Sequence, residues 1–157
     1  MPNLNVYLVE GFAPERKTAL LKRMTDAVVA TIGAPREAVR IFLIELARAH
    51  VCVGGVTLEE ADLPGGPTVH ALLVAGRSEA QKEALIGGLT RAIEETLDVP
   101  ADPVRIMILD IANTDFGMKG VTEAALEPVP TQFAFILHVT DRRLNGSSSG
   151  NGFVERR

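Results

Sequence analysis

The chain has no tryptophan, one tyrosine and one cysteine among its 157 residues. Each shortage excludes something. A single cysteine, Cys52, cannot form a disulfide within the chain, and its neighbours Val51 and Val53 suggest a small buried hydrophobe. With few large aromatics to stack on bases, a formal charge of −4 and scattered Lys and Arg, nucleic acid is not expected as a partner. No apolar run reaches the ~18 residues of a membrane span, and the start lacks the charged and then apolar segments of an export signal. The expectation is a soluble, cytoplasmic chain with no membrane partner. His50, His70 and His138 have no metal-ligand spacing, so no metal is implied.

What is present is a duplication. Pro2, Gly11, Lys17, Thr25, Pro35, Val39-Arg40-Ile41 and Gly55-Val56 recur without a gap 65 positions later as Pro67, Gly76, Lys82, Thr90, Pro100, Val104-Arg105-Ile106 and Gly120-Val121. Two copies are too few for a solenoid, and 46% apolar residues are enough for a shared core. The boundaries read as a first repeat over 1–56, a linker over 57–66, a second repeat over 67–125 and an extension over 126–157.

Each repeat reads strand, helix, strand. Asn3 to Val9 alternates Leu4, Val6 and Leu8 against Asn3, Asn5 and Tyr7, which predicts a strand ended by Gly11. A helix starts near Pro14, whose missing N–H would be unpaired there anyway. It shows an apolar face of Leu20, Leu21, Met24, Ala27, Val28 and Thr31, and Gly33 and Pro35 close it. Val39 to Leu46 follows as a strand expected to be buried on both faces. The second repeat gives Thr68 to Val74, a helix from Glu79 to Leu97 with Leu85, Ile86, Leu89, Ala92 and Ile93 inward, and Arg105 to Ile111.

Ser78 and Gln81 have capping-box spacing, and Gly87-Gly88 inside a helix suggests close packing there. The run Thr57 to Gly66 is rich in Glu, Asp, Pro and Gly and reads as exposed. Gln132 to Val139 reads as an added strand, and Asn145 to Gly152 as a flexible tail. Gly54-Gly55 reads as a turn. A strand, a crossover helix and a second strand place the strands parallel. The fold class is therefore α/β (α+β), with duplicated β-α-β units forming a four-stranded sheet and two helices on one face. The other face, apolar in places, is expected to be covered by oligomerisation.

These residues carry a resemblance. Pro2 after Met1, the Glu10-Gly11 turn into the Lys17 helix, the Val39-Arg40-Ile41 strand start and the Gly54-Gly55-Val56 ending resemble the tautomerase superfamily, in particular the 4-oxalocrotonate tautomerase family. The second copy, with Gly76-Arg77-Ser78-Glu79-Ala80-Gln81-Lys82 and Val104-Arg105-Ile106, resembles it more closely. Arginines at offsets of 10 and 38 from Pro67 complete the signature. The resemblance implies a cofactor-independent isomerase acting on a small anionic carboxylate, assembled as a homotrimer of fused chains. It implies Pro2 as acid and base, Arg77, Arg105 and Arg40 as substrate-binding residues, and Phe116 as an apolar wall.

The chemistry of proline supports only one such base. An amine at a chain terminus titrates near pH 8 and can serve as a general base. Pro2 has a free secondary amine once Met1 is removed, whereas the nitrogen of Pro67 is locked in a tertiary amide. Phe12 stands where the first copy should carry an arginine, so the Pro2 site is expected to draw on Arg77. The chain also partly resembles the cis-3-chloroacrylic acid dehalogenase family. It has Val28 in place of that family's helix histidine, Val74 in place of an arginine and no tyrosine in Ile106 to Ile111, with Asp115 as a candidate water-activating carboxylate. A non-catalytic oligomeric binding protein, and a weak hydratase or dehalogenase, remain open as alternatives.

Overall fold

Alternation of apolar and polar residues gives Asn3–Val9 and Thr68–Val74 one face for a core and one for other partners. The computed structural model describes residues 2–61 and 65–126. In chain order it contains β1 (Asn3–Val9), α1 (Pro14–Ile32), β2 (Arg40–Leu46), a hairpin of β3 (Cys52–Val53) and β4 (Val56–Thr57), and a one-turn helix α2 (Leu58–Ala61). The second repeat follows with β5 (Thr68–Val74), α3 (Glu79–Leu97), β6 (Arg105–Ile111), a hairpin of β7 (Gly117–Met118) and β8 (Val121–Thr122), and α4 (Glu123–Leu126). The chain divides into two units, Met1–Phe116 and Gly117–Arg157, the second containing the β7–β8 hairpin and α4.

The fold is the mixed class expected. Four strands form one sheet in the order β2-β1-β5-β6. Pairing is parallel within each repeat and antiparallel between β1 and β5, where Asn3 faces Leu72 and Tyr7 faces Thr68. The two repeats therefore run in opposite directions. The start of β1 lies beside the end of β5, and the start of β5 beside the end of β1.

One sheet face carries both helices. Leu4, Val6 and Leu8 of β1 and Val69, Ala71 and Leu73 of β5 meet Leu20, Met24 and Val28 of α1 and Leu85, Leu89 and Ile93 of α3, all buried. Each large side chain so buried contributes about 1.5–3 kcal/mol before chain entropy is counted. The other face leaves Phe42, Met107 and Leu109 exposed by 52%, 47% and 44%.

Local chemistry sets the helix ends. Pro14 opens α1, and Gly33 closes it in the left-handed region. Ser78 and Gln81 form the expected capping box of α3, with the Gln81 N–H donating to Ser78 Oγ at 3.2 Å and the Ser78 N–H donating to Gln81 Oε1 at 3.1 Å. Of the two helical glycines only Gly88 has a packing reason, since an added Cβ would lie 3.2 Å from Thr31 Cγ2 and 3.5 Å from Ala27 Cβ. Nothing approaches Gly87.

Three expectations need correction. β2 is an edge strand, so its residues alternate between exposed and half-buried and none is buried on both faces. Ile86 points away from the core at 41% exposure, and Leu97 joins the α3 stripe instead. The run from Thr57 is not an exposed linker throughout, because Leu58 in α2 is 1% exposed and packs inward. The strand expected at 132–139 and the tail at 145–152 lie outside the described residues.

Candidate active site

Antiparallel joining of the repeats brings residues of different repeats to each end of the sheet. At the end where β1 starts, the Arg40 N–H donates to the Pro2 carbonyl at 3.0 Å. Asn3 follows, paired with Arg40 on one side and Leu72 on the other. The same end receives the last pair of the second repeat, Val74 and Ile111. Beyond Val74 the chain turns through Gly76 at φ 111°, a conformation that favours glycine, and reaches Arg77. Beyond Ile111 it reaches Asp115 and Phe116.

A pocket of about 160 Å³ forms there, lined by Asn3, Leu72, Val74, Ile111, Asp115 and Phe116. Its walls are mostly apolar. Pro2 is buried, Arg77 and Phe116 are half-buried, and Arg40 is exposed. The Thr114 hydroxyl donates to Asp115 Oδ1 at 3.0 Å, and the Asp115 N–H donates to the Ala112 carbonyl at 2.8 Å, which fixes the turn that carries Phe116. Two polar atoms at this end, Arg77 Nε and Asn3 Oδ1, are buried without a hydrogen-bond partner among the described residues. Leaving such a group unpaired costs about 1–3 kcal/mol, which a ligand or a neighbouring chain can relieve.

Of the expected site residues, Pro2, Arg40, Arg77 and Phe116 share this end. Arg105 does not. Its N–H donates to the Pro67 carbonyl at 3.0 Å, at the opposite end of strands seven residues long. That places it about 20 Å away along the sheet, and the reason is the reversed direction of the second repeat. Arg105 can join a Pro2 site only from a neighbouring chain. Phe12, the counterpart of Arg77, is half-buried and packs against the core.

Other residues fall differently from expectation. Cys52 is exposed rather than buried, because it sits in a two-residue hairpin strand and not in the sheet. His70 stacks edge-on against Tyr7, with ring centroids 5.0 Å apart, on the sheet face without helices. Asn3 lines the pocket although the only sequence signal for it is its position next to Pro2. Among titrating groups, Glu60 is held below its ordinary value by hydrogen bonds from the Thr57 N–H, at 2.9 Å, and then from the Thr57 hydroxyl, at 2.8 Å. No helix among the described residues is long and apolar enough to cross a membrane.

The sequence profile of the family described as tautomerase enzyme matches residues 2–61 and 67–125, which is one match for each repeat. The chain belongs to the tautomerase family. A probable tautomerase of Ralstonia nicotianae is 47% identical over 64 residues, covering 41% of this chain and 91% of that protein. The 2-hydroxymuconate tautomerase of a Pseudomonas species is 33% identical over 55 residues, covering 35% of this chain and 87% of that protein.

Solved structures match both repeats at once. A native fused 4-OT superposes with a TM-score of 0.77 at 44% identity, covering 79% of this chain and 98% of that one. A fused 4-OT described as an asymmetric trimer gives 0.72 at 48% identity, with the same coverage. A member of the cis-3-chloroacrylic acid dehalogenase family gives 0.68 at 21% identity, covering 87% of this chain and 99% of that one, and shares the fold. The chain is thus a fused two-repeat member of the tautomerase superfamily.

Proposed function

We propose that the chain is a cofactor-independent tautomerase of small enol or keto carboxylic acids, working in the cytoplasm with Pro2 as the acid and base. In ketonisation the enol O–H bond breaks, a C=O bond forms, and a C–H bond forms at carbon, so one proton moves from oxygen to carbon with no change in oxidation state. Removal of Met1 gives Pro2 a secondary amine. As the neutral amine it takes a proton, and as pyrrolidinium it returns one. Arg77 and Arg40 hold the carboxylate and stabilise negative charge where it develops, since a guanidinium grips an anion through a fork and keeps its charge. Arg105 contributes from a neighbouring chain of a homotrimer, and Phe116 shields the reacting carbons from water.

The observation that carries this reading is that Pro2 and Arg40 from one repeat and Arg77 from the other lie at one end of the sheet, where Phe116 lines an apolar pocket. Family membership adds the reaction type, and the name of the Pseudomonas relative suggests 2-hydroxymuconate as a substrate to try. The trimers among fused relatives and the exposed Phe42, Met107 and Leu109 support the assembly.

The test compares Pro2→Ala with Pro67→Ala. The first leaves a primary amine and is expected to lose most ketonisation of 2-hydroxymuconate, while the second is expected to lose little. Equal losses would refute Pro2 as the base, because Pro67 has no basic nitrogen. A second reading, a non-catalytic oligomeric binding protein, draws on the half-buried Phe12 packing against the core where the resemblance would put an arginine. Intact mass separates the two, since retention of Met1 leaves no free amine on Pro2.

A further inference from the structure

The pocket beside Phe116 has a polarity of its own. Leu72, Val74, Ile111 and Phe116 give it apolar walls, and only Asn3 and Asp115 bring polar side chains to it. Both present acceptors. The Oδ1 of Asn3 is buried and has no hydrogen-bond partner among the described residues, whereas Asp115 is exposed, with its Oδ1 accepting from the Thr114 hydroxyl at 3.0 Å. No lysine or arginine of the described residues lines the pocket.

The character of these two groups selects a ligand. An asparagine amide can turn over and offer its N–H groups, but an ionised carboxylate only accepts, so a group that suits both must donate. Size narrows the choice further. At about 160 Å³ the pocket is close in volume to a cavity that holds one benzene ring. Thr68 and His50 stand at the 65-residue offset from Asn3 and Asp115, so this pair of acceptors belongs to the Pro2 end alone.

We propose that this pocket selects the far end of the substrate: a single ring bearing a hydroxyl, in an enol or keto acid with one carboxylate. The hydroxyl donates to Asn3 Oδ1, and Asp115 turns away a second carboxylate. A bare ring would leave the buried Oδ1 unpaired, and a carboxylate would offer it no donor and add repulsion from Asp115. 2-Hydroxymuconate, which has two carboxylates, is then a poorer substrate than a hydroxyaryl enol acid. The inference rests on the reading of the Pro2 end as a carboxylic acid site, since Arg77 and Arg40 hold the one carboxylate outside this pocket.

Binding of acids that cannot tautomerise tests the selection apart from catalysis. Isothermal titration calorimetry of the full-length assembled protein compares 3-(4-hydroxyphenyl)propionate, 3-phenylpropionate and the dicarboxylate adipate. The hydroxylated acid is expected to bind about 10-fold more tightly than the phenyl acid, the scale of one hydrogen bond to a buried acceptor, with adipate weakest. Asn3→Val should level the two aryl acids, while Asn3→Thr, which has the same shape and carries the residue found at position 68, should keep part of the preference. Asp115→Asn should narrow the gap between adipate and the phenyl acid. Equal affinity for the two aryl acids in the wild type overturns the proposal, and this comparison stands even if Asn3→Val fails to fold. So does a preference that persists in folded Asn3→Val, tightest binding of adipate, or no binding of any of the three at millimolar concentration. A preference that holds while Pro2→Ala and Pro67→Ala lose activity equally would refute Pro2 as the base and leave this selection standing.

Discussion

Pro2 and Arg40 are joined by a backbone hydrogen bond of 3.0 Å, and Pro67 and Arg105 repeat it at 3.0 Å. The two bonds sit at opposite ends of one sheet because β1 and β5 are antiparallel. Each end therefore combines the first residues of one repeat with the last of the other. A change confined to one repeat affects both ends: Phe12 follows β1 and so belongs to the Pro67 end, while the Pro2 end receives Arg77 from the second repeat.

The proposed homotrimer predicts a mass near three times 16.8 kDa by light scattering. Phe42→Asp or Met107→Asp should shift it toward the monomer with the fold retained, because both side chains are about half exposed on the helix-free face of the single chain. If these variants remain trimeric, the chains associate through another surface.

Gly87 is predicted to be a weak point. It lies inside α3 with nothing near the position of an added Cβ, so Gly87→Ala should stabilise the chain by about 0.5–1 kcal/mol through helix propensity. That corresponds to a rise in Tm of roughly 1–4 °C for a domain of this size. Gly88→Ala should gain less, because Thr31 must give way by a few tenths of an ångström. Thermal unfolding of the two variants, side by side, checks the contrast; a larger gain at position 88 would contradict the packing of α1 on α3.

Glu60 should remain ionised to lower pH than an ordinary glutamate, because Thr57 donates to its carboxylate twice. A depressed folded value means that the contribution is present above the unfolded value of about 4.5 and is lost as pH falls below that through the folded value. Carboxyl NMR titration checks the direction. In Thr57→Val the hydroxyl bond is lost while the backbone one persists, so Glu60 should move only part of the way back.

The frame was legible from residue pattern because the duplicated strands alternate cleanly and Ser78, Gln81, Gly33 and Pro14 mark helix ends by local chemistry. What sequence spacing could not convey is direction. Arg105 stands at the same offset from Pro67 as Arg40 does from Pro2, yet only the antiparallel seam between β1 and β5 decides which proline shares an end with Arg77. Cys52 looked buried because its neighbours are valines, but burial in a two-residue hairpin depends on what packs over it. Leu58 hid in an acidic stretch for the opposite reason, since a single apolar residue there gives no periodic signal.

Arg77 is predicted to dominate anion binding at the Pro2 end. Its counterpart Phe12 is half-buried against the core, and the Nε of Arg77 is buried with no hydrogen-bond partner among the described residues. Removing a charge-assisted contact to a carboxylate should cost roughly 2–4 kcal/mol, or about 30- to 1000-fold in kcat/KM. Arg77→Lys should recover little of this, because it keeps the charge but not the fork. Steady-state kinetics on 2-hydroxymuconate, with circular dichroism and light scattering to confirm a folded assembly, decide the matter. An unchanged kcat/KM in folded Arg77→Ala would move the carboxylate to Arg40 or to Arg105 of a neighbouring chain, and the unmatched Nε would then need a partner from the assembly instead of from substrate.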